Sequence, residues 1–166
     1  MVQLACKRAW WACVYCLVVY HRGTPEGATA TMSYPIRARR RRGNGATVLI
    51  VDDNAAVRGC LEAMFTVLGY RSDLATDGRE ALPKLQSNDY EAVICDLYMP
   101  HMDGDQLYQA CRSLRQELAR RFIFITGEEM ETLPAQCLQR DDQPQLLKPF
   151  RLADIQQALT QVAAAS

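Results

Sequence analysis

No segment of the 166 residues is apolar for long enough to cross a bilayer. The nearest approach, Ala9–Tyr20, is 12 residues without a charge, about 18 Å as a helix against a hydrocarbon core of about 30 Å. A disulfide framework is also missing. The seven cysteines, at 6, 13, 16, 60, 95, 111 and 137, are odd in number and scattered, unlike the dense even pattern of a small secreted fold. They are expected as reduced thiols in a cytoplasmic protein, with Cys60, Cys95 and Cys111 acting as small buried hydrophobes. No glycine-rich phosphate loop follows the first apolar run, because Gly43-Asn44-Gly45 precedes it, so a nucleotide-cradling reading fails. Net charge is zero as well, with 19 bases against 19 acids.

That zero is a cancellation between two unlike parts. Residues 1–46 hold eight bases against the single acid Glu26, whereas residues 47–166 hold 11 bases against 18 acids. Within 1–31, Cys6, Cys13, Cys16 and His21 offer a weak zinc pattern with one close Cys pair. Lys7-Arg8 ahead of the apolar stretch and Ala28-Thr29-Ala30 behind it imitate a secretory signal with an overlong cleavage region. A third reading makes Met32 the true start and 1–31 a start-site extension, since this stretch has neither helical nor strand periodicity. Residues 32–46, with Arg39–Arg42 punctuated by Pro35, Gly43 and Gly45, are expected to be a basic flexible arm. Without interleaved aromatics or a recognition helix, any nucleic-acid contact there would be unspecific.

From residue 47 the pattern alternates. Thr47–Val51 is a continuous apolar run typical of a strand buried on both faces. Val57, Leu61, Met64, Phe65 and Leu68 then recur at helical spacing up to a stop at Gly69. Strands are expected at Tyr70–Ala75, Ala92–Cys95, Phe122–Ile125 and Gln145–Leu147. Helices are expected at Gly78–Gln86, along one stripe from Leu107 to Leu118, at Glu129–Arg140, and along Leu152, Ile155, Leu159 and Val162. Pro83 and Pro134 fall inside two of these helices and should shorten, kink or shift them. Five strands alternating with five helices predict an α/β domain over 47–166, a doubly wound parallel sheet with right-handed crossovers and a ligand site beyond the carboxyl ends of the strands.

At that rim the alternation places Asp52 and Asp53 after the first strand, Asp96 after the third, Thr126 after the fourth and Lys148 after the fifth. Three carboxylates so close repel one another unless a cation sits among them. An all-oxygen acidic site favours Mg²⁺. A hydroxyl and an ammonium beside it suit a transferring phosphoryl group, and a carboxylate can serve as its nucleophile. Each residue also has a plainer reading. An acid pair after a strand is what a helix N-cap supplies, Thr126 could bond its own turn, and Lys148 could be a solvated base. Asp103-Gly104 reads as a loop-to-helix turn and Asp105 as a first-turn acid, neither catalytic.

Four strings in order, VLIVDDN at 48–54, DLYMPHMDG at 96–104, TG at 126–127 and LLKPF at 146–150, make residues 47–166 resemble the receiver domain of two-component response regulators, single-domain and chemotaxis-regulator-like. The resemblance implies a flavodoxin-like sheet of order 2-1-3-4-5. It implies that Asp96 accepts phosphate from a histidine kinase or histidine phosphotransfer protein, and that Asp52, Asp53, Asp96 and the Tyr98 carbonyl hold Mg²⁺. It further implies that Thr126 and Lys148 sense the phosphoryl group, that the bond before Pro149 is cis, and that a side chain larger than Gly127 would crowd the site. Tyr98 and Glu128 take the variable places that tune water access. Gln145 departs from the family, which has a Tyr or Phe switch there. Since only Val162–Ser166 follow the last helical stripe, output is expected through docking to a downstream protein, or relay, by way of a two-state surface around the fourth helix, fifth strand and fifth helix. No enzymatic turnover beyond autocatalytic phosphoryl acceptance and hydrolysis is expected. The alternatives are a degenerate adaptor that works unphosphorylated, and an aspartyl-phosphate phosphatase of the haloacid dehalogenase type, which needs a second Asp where this chain has Tyr98.

Overall fold

The computed structural model describes residues 45–127 and 143–164. Its elements are β1 (Thr47–Val51), α1 (Ala55–Val67), β2 (Arg71–Ala75), α2 (Gly78–Ser87), β3 (Ala92–Asp96), α3 (Gly104–Leu114), the single turn α4 (Gln116–Ala119), β4 (Phe122–Thr126), β5 (Gln145–Leu147) and α5 (Leu152–Ala164). All strand pairs are parallel, in the order β2-β1-β3-β4-β5. This is the expected flavodoxin-like sheet. The weak zinc pattern, the basic arm up to residue 44, Glu128, and the helix expected over 129–140 with Pro134 lie outside the described residues. Among the described residues, no helix is long and apolar enough to cross a membrane.

Side chains alternate across each strand, and both sets are apolar. Leu49, Val51, Val93, Cys95, Phe122 and Phe124 pack with Leu85, Leu107 and Leu118 on one face. Val48, Ile50, Ile94, Ile123 and Ile125 pack with Leu61, Phe65, Ile155 and Leu159 on the other. Two helical layers therefore cover the sheet, which is why its central strands read as unbroken apolar runs. The edge strand β2 instead exposes Arg71 and Asp73, charges that discourage edge pairing.

Three local readings are corrected. The Leu107–Leu118 stripe is not one helix. The chain breaks at Arg115 (φ −147°, ψ 75°), whose guanidinium donates to the carbonyls of Leu85 and Asn88 and pairs with Asp89. The break leaves Leu114 exposed and turns Leu118 and Ala119 inward. Pro83 does not shorten α2, which runs ten residues through it. The ring lies on the exposed side, where the carbonyl it leaves without a donor can be solvated. The helix cap is neither Asp52 nor Asp53 but Asn54, whose Oδ1 accepts from the N–H groups of Ala56 and Val57. Gly69 takes the left-handed stop (φ 84°), and the Tyr70 N–H closes onto the Phe65 carbonyl at 2.9 Å.

Candidate functional site

In a parallel sheet every strand ends on the same side, and the register brings the polar residues together there. Asp52 follows β1 directly, Asp96 and Thr126 are the last residues of β3 and β4, and Lys148 follows β5. Asp52 and Thr126 are each 1% exposed and Asp96 7%, while Asp53 is exposed. Carboxylate oxygens of Asp52, Asp53 and Asp96 lie within 4.8 Å of one another.

The Lys148 ammonium bridges two of them, donating to Asp52 Oδ2 at 2.9 Å and to Asp96 Oδ2 at 2.5 Å. Its backbone N–H donates to the Thr126 carbonyl at 2.8 Å, which ties the β5 end to the β4 end. The Lys148–Pro149 peptide is cis. Burial pushes the Asp52 carboxyl up and Asp96 adds to it, while Lys148 and the Asn54 N–H pull it back, leaving a pKa of about 6 against an ordinary 3.8. Burial works against the Lys148 ammonium, but Asp96 and Asp52 outweigh it and hold its pKa above the usual value. A buried pair of acids thus keeps a cation between them.

Asp52 is held at every oxygen. Oδ1 accepts from the Asn54 N–H at 2.8 Å, Oδ2 from Lys148, and the backbone carbonyl from Arg58 Nη1 at 2.6 Å. Asp96 Oδ1 accepts from the Tyr98 N–H at 3.2 Å, and the Tyr98 side chain is 46% exposed beside it. Gln145 is set back from the rim, at the start of β5 opposite Phe124. Its Oε1 is buried with no hydrogen-bond partner among the described residues.

Two residues beside the site were given no part in it from sequence. Arg58 is the fourth residue of α1, and helical side chains lean toward the N-terminus, so an arginine one turn in can reach back over the cap. Gly104 opens α3 directly behind Asp96, where a Cβ would stand 2.3 Å from the Asp96 carbonyl oxygen. At Gly127 a Cβ meets nothing within 4 Å among the described residues.

Residues 48–160 match the family model of the response regulator receiver domain. The chain is 33% identical over 108 residues to the response regulator MprA of Mycolicibacterium vanbaalenii, covering 65% of this chain and 46% of that protein. It is 35% identical over 113 residues to the sensor histidine kinase RcsC of Escherichia coli (strain K12), covering 68% of this chain and 12% of that one. The match to MprA spans just under half of that protein's length. Among solved structures, the receiver domain of the sensor histidine kinase PA1611 from Pseudomonas aeruginosa PAO1, with a magnesium ion coordinated in its active site cleft, superposes with a TM-score of 0.65 at 30% identity, over 72% of this chain and 99% of that one. The acids gathered at the carboxyl rim of a 2-1-3-4-5 sheet and the match along 48–160 agree, and the chain belongs to the response regulator receiver domain family.

Proposed function

We propose that this chain is a phosphoacceptor of a two-component or phosphorelay system, taking a phosphoryl group on Asp96 from a histidine kinase or histidine phosphotransfer protein. The observation that carries this reading is the Lys148 ammonium seated between the Asp52 and Asp96 carboxylates. A cation within reach of the acceptor oxygen can neutralise the charge of an incoming phosphoryl group. An Asp96 oxygen attacks phosphorus as the P–N bond of the donor phosphohistidine breaks, and the electron pair of that bond stays on the imidazole nitrogen. The product is an aspartyl-phosphate and Asp96 is modified, so the chain acts as a reactant in signalling and not as a turnover enzyme. The Thr126 hydroxyl and the Lys148 ammonium would hold the phosphoryl oxygens.

The donor set suits Mg²⁺. Three carboxylates, two of them buried, present hard oxygen ligands within 4.8 Å of one another, and a small hard cation that retains several waters needs only a few such ligands. Asp52, Asp53, Asp96 and the Tyr98 carbonyl would hold it, and when bound it supplies charge neutralisation at the phosphoryl oxygens. Output through a docked downstream protein, in the cytoplasm, completes the reading. The fold offers a groove of about 310 Å³ between β5 and α5, lined by Gln145, Leu147, Phe150 and Asp154 among others.

The test is phosphorylation by acetyl phosphate, read by intact mass with Mg²⁺ and with EDTA. The wild type is expected to gain one phosphoryl group only with Mg²⁺, and Asp96→Asn to gain none. Undiminished labelling of Asp96→Asn would move the acceptor elsewhere, and an unlabelled wild type would favour the adaptor that works unphosphorylated.

A further inference from the structure

We infer that Arg58 is a positioning residue of the divalent-cation site, a role that rests on the metal reading above. Its Nη1 donates to the Asp52 carbonyl at 2.6 Å in a partly buried bond. That carbonyl belongs to the peptide joining Asp52 to Asp53, so holding it restrains the backbone from which the exposed Asp53 carboxylate projects. The regular ladder ends at this point. The Asp52 N–H still bonds the Ala75 carbonyl at 3.3 Å, α1 begins only at Ala55, and Asp53 and Asn54 link the two. The Arg58 bond reaches from the helix back across that link. With Oδ1 held by the Asn54 N–H and Oδ2 by Lys148, it completes the fixing of Asp52 and restrains the backbone of its neighbour.

Charge alone predicts the reverse effect. A guanidinium beside a site already containing Lys148 repels an incoming dication, so an arginine acting only through its charge would weaken metal binding. The geometric and coulombic roles therefore have opposite signs on removal, and the two can be separated. They also differ in selectivity. A rigid ligand set favours Mg²⁺, which demands near-ideal octahedral geometry, whereas Ca²⁺ accepts irregular coordination. A change in charge acts on both ions in the same sense.

The experiment titrates Mg²⁺ and Ca²⁺ calorimetrically into the full chain at fixed pH and ionic strength, for the wild type, Arg58→Met and Arg58→Lys, with circular dichroism in EDTA to verify folding. Arg58→Met keeps the apolar stem and removes the donors. It is expected to weaken Mg²⁺ about tenfold, the lower end for partners that orient metal ligands, to weaken Ca²⁺ less, and so to lower the preference for Mg²⁺. Arg58→Lys keeps one charged donor without the rigid fork and is expected to fall between the two; it preserves the test should the methionine variant fold poorly. Unchanged or tighter Mg²⁺ binding by Arg58→Met, or equal weakening of both ions, overturns the inference. A wild type that binds neither ion overturns the metal reading and this inference with it.

Discussion

At the residue scale, Gly104 leaves no room for a side chain beside Asp96. A Cβ there would lie 2.3 Å from the Asp96 carbonyl oxygen and 3.1 Å from the Leu97 Cα, backbone atoms that no rotamer change can move aside. The Gly104 N–H is itself bonded to the Leu97 carbonyl at 3.1 Å, so the turn is pinned from both ends. Gly104→Ala is expected to cost about 1–3 kcal/mol, the range for forced overpacking, seen as a lower urea midpoint, and to reduce Mg²⁺-dependent labelling because Asp96 must shift. Gly127→Ala, whose Cβ meets nothing within 4 Å among the described residues, should leave the midpoint near that of the wild type. A midpoint unmoved by Gly104→Ala would show that the α3 start yields more readily than its contacts imply. Neither glycine carries a positive φ, so the contrast is one of space.

At the element scale, α1 joins the site to one of the two cores. Asn54 caps it with a side-chain oxygen that accepts from two N–H groups, at 2.9 and 3.4 Å, and its own N–H holds Asp52 Oδ1. Asn54→Ala is expected to lower stability by about 1 kcal/mol, the usual loss of a polar N-cap, with Asn54→Asp keeping most of it; chemical denaturation of both variants checks this, and an alanine variant as stable as the wild type would deny the cap any energetic weight. α3 is instead built on a capping box, with the Asp103 side chain accepting from the Gln106 N–H at 2.8 Å and the Gln106 side chain accepting from the Asp103 N–H at 3.2 Å. Asp103 thus starts the helix at the loop-to-helix turn, and Asp105 lies in its first turn. The far end of α3 was not legible in the same way. Leu107, Cys111, Leu114 and Leu118 fit one helical face, but Arg115 finds the Leu85 carbonyl in the last turn of α2 and a carbonyl and a carboxylate, of Asn88 and Asp89, just after it. Tertiary partners overrode local periodicity there.

At the scale of the whole molecule, the acids that crowd the rim are tolerated because two apolar layers hold the strand ends in register. A ligand that binds only the folded site adds RT ln(1 + [L]/Kd) to stability. Mg²⁺ at a hundred times its Kd should therefore raise the unfolding free energy by about 2.7 kcal/mol over EDTA at equal ionic strength. Asp53→Asn should lose most of this increment while folding normally, since Asp53 is exposed; an equal Mg²⁺ effect in both proteins would place the ion elsewhere. The alternation of apolar runs and helical stripes was enough to set the class of the fold and the side of the sheet on which function lies, because a parallel sheet covered on both faces leaves a local imprint in every strand and helix. The identities of Asp52, Asp53, Asp96, Thr126 and Lys148 as rim residues follow from that same imprint, four of them being the first polar group after an apolar run and Asp53 the residue next to Asp52. The bridging of Asp52 and Asp96 by Lys148, the reach of Arg58 back over the cap, the closeness of Gly104 to the Asp96 carbonyl and the break at Arg115 came only with the folded chain. Each depends on a distance between segments remote in sequence or on the direction of a side chain, and periodicity constrains neither.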